Sequence, residues 1–201
     1  MMSKSDIDKV REKLANSSVG IAGIGGLGSN AAMALARAGI GRLVIVDFDN
    51  VEESNLNRQA YTVDQVGMRK TEALMQNINK ANPAVDVTAF FMELEPGQMD
   101  YPFSSVDIVV EALDKADTKA LFIEEISMKY PDKPIIAASG VAGVGGTERI
   151  RLKRSGNLYL VHDDDAPSCD ESVVLAPRVG LFAHWQASLV IEILLECENV
   201  N

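Results

Sequence analysis

Apolar and polar positions divide this chain into short, strongly apolar runs separated by longer amphipathic stretches. Val19, Ile21, Ala22 and Ile24 form one apolar run, Leu43 to Val46 a second, Val106 to Ala112 a third and Pro134 to Ala138 a fourth. Runs of this kind predict strands buried on both faces of a parallel sheet. Between them, apolar positions recur at helical spacing. Ile7, Val10 and Leu14 predict an amphipathic helix laid against the sheet edge and ending near Asn16, and Ala31 to Ala38 predicts a helix after the first strand. Leu74 and Ile78 mark the inward face of a helix from Asp64 to Lys80, with Pro83 beyond its end, and Asp117 to Lys129 predicts another. Val85 and Val87 predict one more strand.

Beyond Gly145 the pattern changes. Arg149, Arg151 and Lys153 alternate with Ile150 and Leu152, and Ser155-Gly156-Asn157 turns the chain into Leu158 to Val161, which reads as a half-exposed β-hairpin with a solvated basic face. His162 to Glu171 is an acidic loop. Pro177 then opens a long apolar helix ending near Glu196, in which His184 and Trp185 read as core or interface residues. The order of elements predicts an α/β, Rossmann-like and mostly parallel sheet with helices on both faces, an added C-terminal β-hairpin and a long final helix. Without internal repeats or a low-complexity linker, residues 1–201 read as a single domain.

Composition narrows the function classes. The 201 residues are 47% hydrophobic and 24% charged, which is enough for one substantial core. A formal net charge of −10 argues against a nucleic-acid partner or an anionic membrane surface, both of which reward a basic face. The polar N-terminus and the lack of a membrane-length apolar run predict a cytoplasmic protein. Cys169 and Cys197 cannot supply four zinc ligands, and the two histidines do not stand at metal-binding spacing, so no zinc is expected.

Candidate chemistry begins with Gly23, Gly25 and Gly28, a Gly-x-Gly-x-x-Gly turn directly after the first strand. Its first two glycines allow a tight bend and close approach by a phosphate, and Gly28 lets the following helix pack on the strand. The helix N-terminus adds free amides and a dipole, an anion site. The second strand ends at Asp47, roughly twenty residues on, where a ribose-binding acid stands in a mononucleotide unit. Asp47 to Gln59 is too polar to continue the strand, and such loops at the carboxyl end of a parallel sheet carry chemistry. Asp114, just past the third apolar run, repeats the placement of Asp47.

Together, Gly-x-Gly-Gly-Leu-Gly-Ser, Asp47-Phe-Asp, Ser54-Asn-Leu-Asn-Arg-Gln59, Gly67-Met-Arg-Lys70 and Leu113-Asp114 resemble the ThiF/MoeB/HesA adenylyltransferases, relatives of ubiquitin-activating enzymes. Chain length, the missing zinc cysteines and Ala176-Pro-Arg-Val-Gly180 look most like the short ThiF-type branch of thiamine biosynthesis. The resemblance implies ATP- and Mg²⁺-dependent adenylylation of the C-terminal glycine carboxylate of a ubiquitin-like sulfur carrier protein ending in Gly-Gly, carried out by a homodimer. It implies that Asp47 holds the ribose hydroxyls, that Gly26 lets the nucleotide approach the backbone, that Asn55, Arg58 and Lys70 hold the phosphates, and that Asp114 binds Mg²⁺. Apolar content in the last helix points the same way on dimerisation. Family members also lend an arginine across the dimer from an Arg-Tyr-x-Arg-Gln segment; ahead of the glycine turn this chain has only Arg11.

Other readings compete. An NAD(P)-dependent oxidoreductase would use the glycine turn and Asp47 but leave Arg58, Lys70 and Asp114 without a shared task, and a non-catalytic nucleotide-dependent module would need no carrier. A dehydratase acting on modified tRNA lies within the family, but the acidic balance offers no obvious RNA footprint. Cys169 stands roughly where family members with a sulfur-transfer or thioester step carry a cysteine. Asp163, Asp164, Asp165, Asp170 and Glu171 around it disfavour a thiolate, so it is expected to be an unreactive loop cysteine.

Overall fold

The computed structural model describes residues 3–196; Cys197 lies outside them. The strands are β1 (Ser18–Ala22), β2 (Arg42–Asp47), β3 (Asp86–Phe91), β4 (Ile108–Glu111), β5 (Ile135–Ser139), β6 (Arg151–Ser155) and β7 (Leu158–His162). They form one sheet in the order β3-β2-β1-β4-β5-β7-β6. Every pairing is parallel except that of β6 with β7. The helices are α1 (Lys4–Ala15), α2 (Gly26–Ala38), α3 (Lys70–Ala81), α4 (Ala116–Lys129) and α5 (Ala176–Leu194).

Two apolar clusters cover the two faces, as strands buried on both sides require. Ile21, Leu43, Ile45, Val110 and Ile136 pack against α2, α3 and α5 through Leu35, Ile78, Phe182 and Val190. On the other face Val44, Val109 and Ile135 meet Phe122 and Ile126 of α4, and Phe103. The Phe103 ring fits because residue 20 is glycine: a Cβ there would stand 2.5 Å from it. No helix among the described residues is long and apolar enough to cross a membrane.

Several elements differ in extent from the sequence reading. The helix expected over Asp64 to Lys80 starts only at Lys70. Gly67 adopts a φ of 88°, and the chain around it is drawn into pairing with the loop after β2, Val51 N–H donating to Met68 O at 2.8 Å and Gly67 N–H to Val51 O at 2.8 Å. The helix expected from Ala31 begins five residues earlier, at Gly26, and β1 stops at Ala22, so Gly25 caps the helix and Gly26 and Gly28 lie in its first turn. The last turn of α1 meets the start of β2, where Gly41 N–H donates to Leu14 O at 3.0 Å, and the helix touches α5. Arg149 leaves the hairpin for a short turn, Thr147–Arg149, so the basic alternation begins at Arg151. Most apolar residues of α5, among them Val179, Phe182, Ala183, Leu189 and Val190, are buried inside this chain, which absorbs the surplus that pointed to a partner.

Candidate functional site

Strand order reverses between β1 and β4: the chain proceeds outward through β2 and β3, then returns to the other side of β1. Outside the carboxyl ends of such a pair a crevice opens, the usual ligand position in an open α/β sheet. The glycine turn stands there. Gly23 has a φ of 82°, and a Cβ on it would press on Ala112 O of the neighbouring strand end at 2.8 Å. At Gly28 a Cβ would collide with Gly23 O, so only glycine lets α2 start this close to β1. Gly25 is the cap residue of α2, with no side chain satisfying the first-turn amides, and the first helical bond runs from Ser29 N–H to Gly25 O at 3.1 Å. The amides of Gly26, Leu27 and Gly28 therefore present positive ends to the crevice.

The Ser54–Gln59 segment is latched around this turn. Asn30 Nδ2 donates to Arg58 O at 2.9 Å, Ala60 N–H to Ser29 Oγ at 3.0 Å and Tyr61 OH to Ile24 O at 2.7 Å. A Cβ on Gly26 would fill the gap between Val179, 3.2 Å away, and the Arg58 stem, 3.8 Å away. Gln59 was not singled out in the sequence, yet its Oε1 is buried without a partner among the described residues, while its Nε2 stands 3.8 Å from where a Gly25 Cβ would be. A buried acceptor left open beside a phosphate-type turn fits a bound ligand that donates to it. Periodicity carries no signal for such a residue.

Asp47 closes the turn from the β2 side. One oxygen accepts Ile24 N–H at 2.8 Å and the other Asp49 N–H at 2.8 Å. Burial holds its carboxyl above the ordinary carboxylate range, against the pull of nearby Lys70 and the two amides. Lys70, the first residue of α3, is buried and donates to Asp49 Oδ2 at 2.6 Å. Its ammonium thus reaches the crevice wall with one bond taken. Arg58 is half-buried, and its Nη1 donates to Ser54 O at 3.0 Å and Asn57 Oδ1 at 2.8 Å. Asn55 is turned into its own short turn, accepting Glu52 N–H at 3.1 Å and donating to Ser54 Oγ at 3.3 Å. Asp114 is exposed on the β4 side, and no hydrogen bond or ion pair among the described residues engages it.

Gly23, Gly25, Gly26, Gly28, Asp47, Arg58, Lys70 and Asp114 therefore gather on one sheet edge, while Asn55 is committed locally. No group of three His, Cys, Asp or Glu among the described residues could by itself hold a metal. A cation at Asp114 would need most of its oxygens from a ligand and water, the usual arrangement for Mg²⁺ with phosphates. A cleft of about 320 Å³ lined in part by Lys13, Asp107 and Leu194 lies at the opposite end of the sheet, away from these groups.

Further along the edge, Arg178 is buried in the first turn of α5 and donates to Gly145 O at 2.7 Å, Gly140 O at 2.9 Å and Asp163 Oδ2 at 2.6 Å. Arg149 donates to both Asp163 oxygens at 3.2 Å. Arg149 holds the Asp163 carboxyl down to about 2, against burial and with help from Arg178. Cys169 is exposed on the loop that follows, Asp163 points inward, and Asp164 Oδ1 stands 2.9 Å from His162 Nδ1. Arg11 pairs with Asp8 at 3.5 Å on exposed α1.

Known proteins resemble this chain in sequence and in fold. The adenylyltransferase and sulfurtransferase UBA4 of Vanderwaltozyma polyspora is 33% identical over 191 residues, and that of Kluyveromyces lactis 34% over 189. These alignments take in 92% and 90% of this chain but 43% and 41% of those proteins, so the chain spans less than half the length of these relatives. Escherichia coli tRNA N6-threonylcarbamoyladenosine dehydratase, TcdA, in complex with ATP superposes with a TM-score of 0.84 at 24% identity, over 94% of this chain and 90% of that one. E. coli MccB with ATP superposes at 0.76 and 23% identity, over 94% and 58%. Residues 2–201 match the ThiF family, and the chain belongs to it.

Proposed function

We propose that this protein adenylylates the C-terminal glycine carboxylate of a ubiquitin-like sulfur carrier protein, using ATP and releasing pyrophosphate. The observation that carries the proposal is the gathering, at one crevice of a ThiF-family chain, of uncapped α2 amides, two cations and an unengaged carboxylate. A glycine carboxylate is already ionised at neutral pH, so the attack on the α-phosphate needs no general base. What the site must supply is alignment and positive charge.

Each residue has a definite task. The amides of Gly26, Leu27 and Gly28 bind phosphate oxygens, Lys70 offers its remaining donors and Arg58 swings its guanidinium from Ser54 O to the triphosphate. Asp47 keeps a second lone pair on each oxygen for the ribose hydroxyls, and Gln59 Oε1 accepts from the nucleotide. Mg²⁺, held by Asp114, would neutralise the phosphate charge. The relatives named as adenylyltransferases and the ATP-bound fold neighbours support this reading over hydride transfer. We assign the carrier to the thiamine branch and the active species to a homodimer, with Leu181 and His184 on the exposed side of α5 available to a second copy.

The test is carrier-dependent exchange of pyrophosphate into ATP, with intact-mass detection of the carrier adenylate. Preferential binding of NAD, or no adenylate with any Gly-Gly-ending carrier, would overturn it. A monomer by sedimentation at micromolar concentration would remove the homodimer. A second reading, action on a modified tRNA, draws on the likeness to TcdA and on exposed Arg151, Lys153 and Arg154 of β6, a basic strand that the overall charge hides. ATP consumption stimulated by tRNA and not by carriers would favour it.

A further inference from the structure

We infer that Glu111 and Lys119 form a positioning pair, fixing the backbone immediately ahead of Asp114 and so the place of that carboxylate at the crevice. The inference rests on the reading of Asp114 as the metal-binding acid.

Glu111 is the last residue of β4, and its side chain is completely buried. Its Oε1 accepts Leu113 N–H at 2.7 Å and a proton of Lys119 Nζ at 2.9 Å, and that nitrogen also stands 2.8 Å from Oε2. Lys119, in the second turn of α4, in turn donates to Leu113 O at 3.0 Å. Both polar backbone groups of Leu113 are thereby taken by one ion pair, and the next residue is Asp114. The main chain is held from the other side as well. Gln186 of α5 donates to Glu111 O and Ile136 O, each at 3.1 Å, tying β4 to β5, and Ala112 N–H donates to Ala22 O at 2.9 Å. Leu113 Cδ2 lies 3.3 Å from the position of a Gly23 Cβ, which registers the segment against the glycine turn.

Energetics favours positioning over stability as the reason for this arrangement. Desolvating two charges cancels most of their attraction, and an apolar pair of similar volume in such a place is often as stable or more so. An apolar pair would not bind the N–H and C=O of Leu113. Asp114 has no bonds of its own among the described residues, so the backbone before it is what sets its place. Partners behind a metal ligand typically change metal affinity by about 10- to 100-fold when removed.

The test uses Glu111→Gln and Lys119→Met, the double variant carrying both, and Lys119→Arg, each checked for folding by circular dichroism. Three quantities are read: the Mg²⁺ concentration for half-maximal carrier-dependent pyrophosphate exchange, ATP affinity without metal, and amide hydrogen exchange at Leu113 in the free protein. We expect Glu111→Gln and the double variant to need about tenfold more Mg²⁺ and to exchange the Leu113 amide faster, with metal-free ATP affinity within about twofold. Lys119→Arg, which keeps the charge, should recover most of the loss seen in Lys119→Met. The double variant leaves no buried charge unpaired, so it tests the idea even if the single variants fail to fold. Wild-type Mg²⁺ demand in a folded double variant would overturn the inference, as would unchanged protection of Leu113. If the wild-type protein makes no adenylate at all, the proposed function fails, and the Leu113 amide still decides whether the pair holds this segment.

Discussion

Asp47 and Asp114 flank the same central strand, one at the end of β2 and the other just past β4, and they behave in opposite ways. Asp47 is 9% exposed with both oxygens occupied by backbone amides, whereas Asp114 is exposed and unengaged among the described residues. The first acid organises the glycine turn by holding Ile24 N–H, and what remains of its bonding capacity is left for a ligand. The second contributes nothing visible to the fold and relies on the Glu111–Lys119 pair behind it. A third acid past a strand end, Asp163 after β7, is fully consumed by two arginines. The local donors therefore decide how much of an acid at a strand end is left for a ligand.

The comparison predicts that isosteric replacement separates the three acids. Asp114→Asn should lower carrier-dependent pyrophosphate exchange by about 100-fold, since a metal-binding charge is lost, with melting temperature unchanged. A fully active Mg²⁺-dependent variant would move the metal elsewhere. Asp47→Asn turns an amide N–H toward one of two backbone donors, leaving a buried donor unmet at a cost of about 2 kcal/mol. That is a fall in melting temperature of about 5 °C for a chain of this size. Nucleotide affinity should weaken with it, and an unchanged melting curve would mean that Asp47 serves the ligand alone.

Asp163→Asn leaves Arg178 buried without its counter-charge and should cost about 3 kcal/mol at neutral pH. The sign of its pH dependence follows from a carboxyl held at about 2 in the folded protein, below its usual 3.8. That contribution is complete above pH 4 and is lost as pH falls through 2, so the two stability curves should converge in acid. A constant gap from pH 7 to pH 2 would refute the ion-pair account. The smallest effect is expected at Cys169, exposed and without a role in adenylation: Cys169→Ala should keep exchange within about twofold of wild type. A tenfold fall with folding intact would bring the thiol into the adenylation site.

Much of this molecule was legible as sequence. Apolar runs marked β1, β2, β4 and β5 because a strand buried on both faces is made mostly of apolar residues, and Gly23 and Gly28 stand where a Cβ would strike backbone. The glycine turn, Asp47 and Asp114 follow β1, β2 and β4, and the parallel pairing of these strands puts all three at the same end of the sheet, with the turn in the middle. Extents were less legible. Nothing local announces that the chain near Gly67 pairs with the loop after β2 and so delays α3 to Lys70, which places that ammonium beside Asp49.

The α/β architecture and the glycine turn follow from burial periodicity and backbone sterics, which act over a few residues and can be read along the chain. The pairing of the charged residues depends on contacts between distant segments and shows only in the folded molecule. Asn55 is committed to its own turn, Arg149 and Arg178 to Asp163, Lys119 to Glu111, and Asp114 to nothing within the described residues. The three ion pairs join residues 8 to 15 positions apart, and their partners are chosen by desolvation at the point where those segments meet.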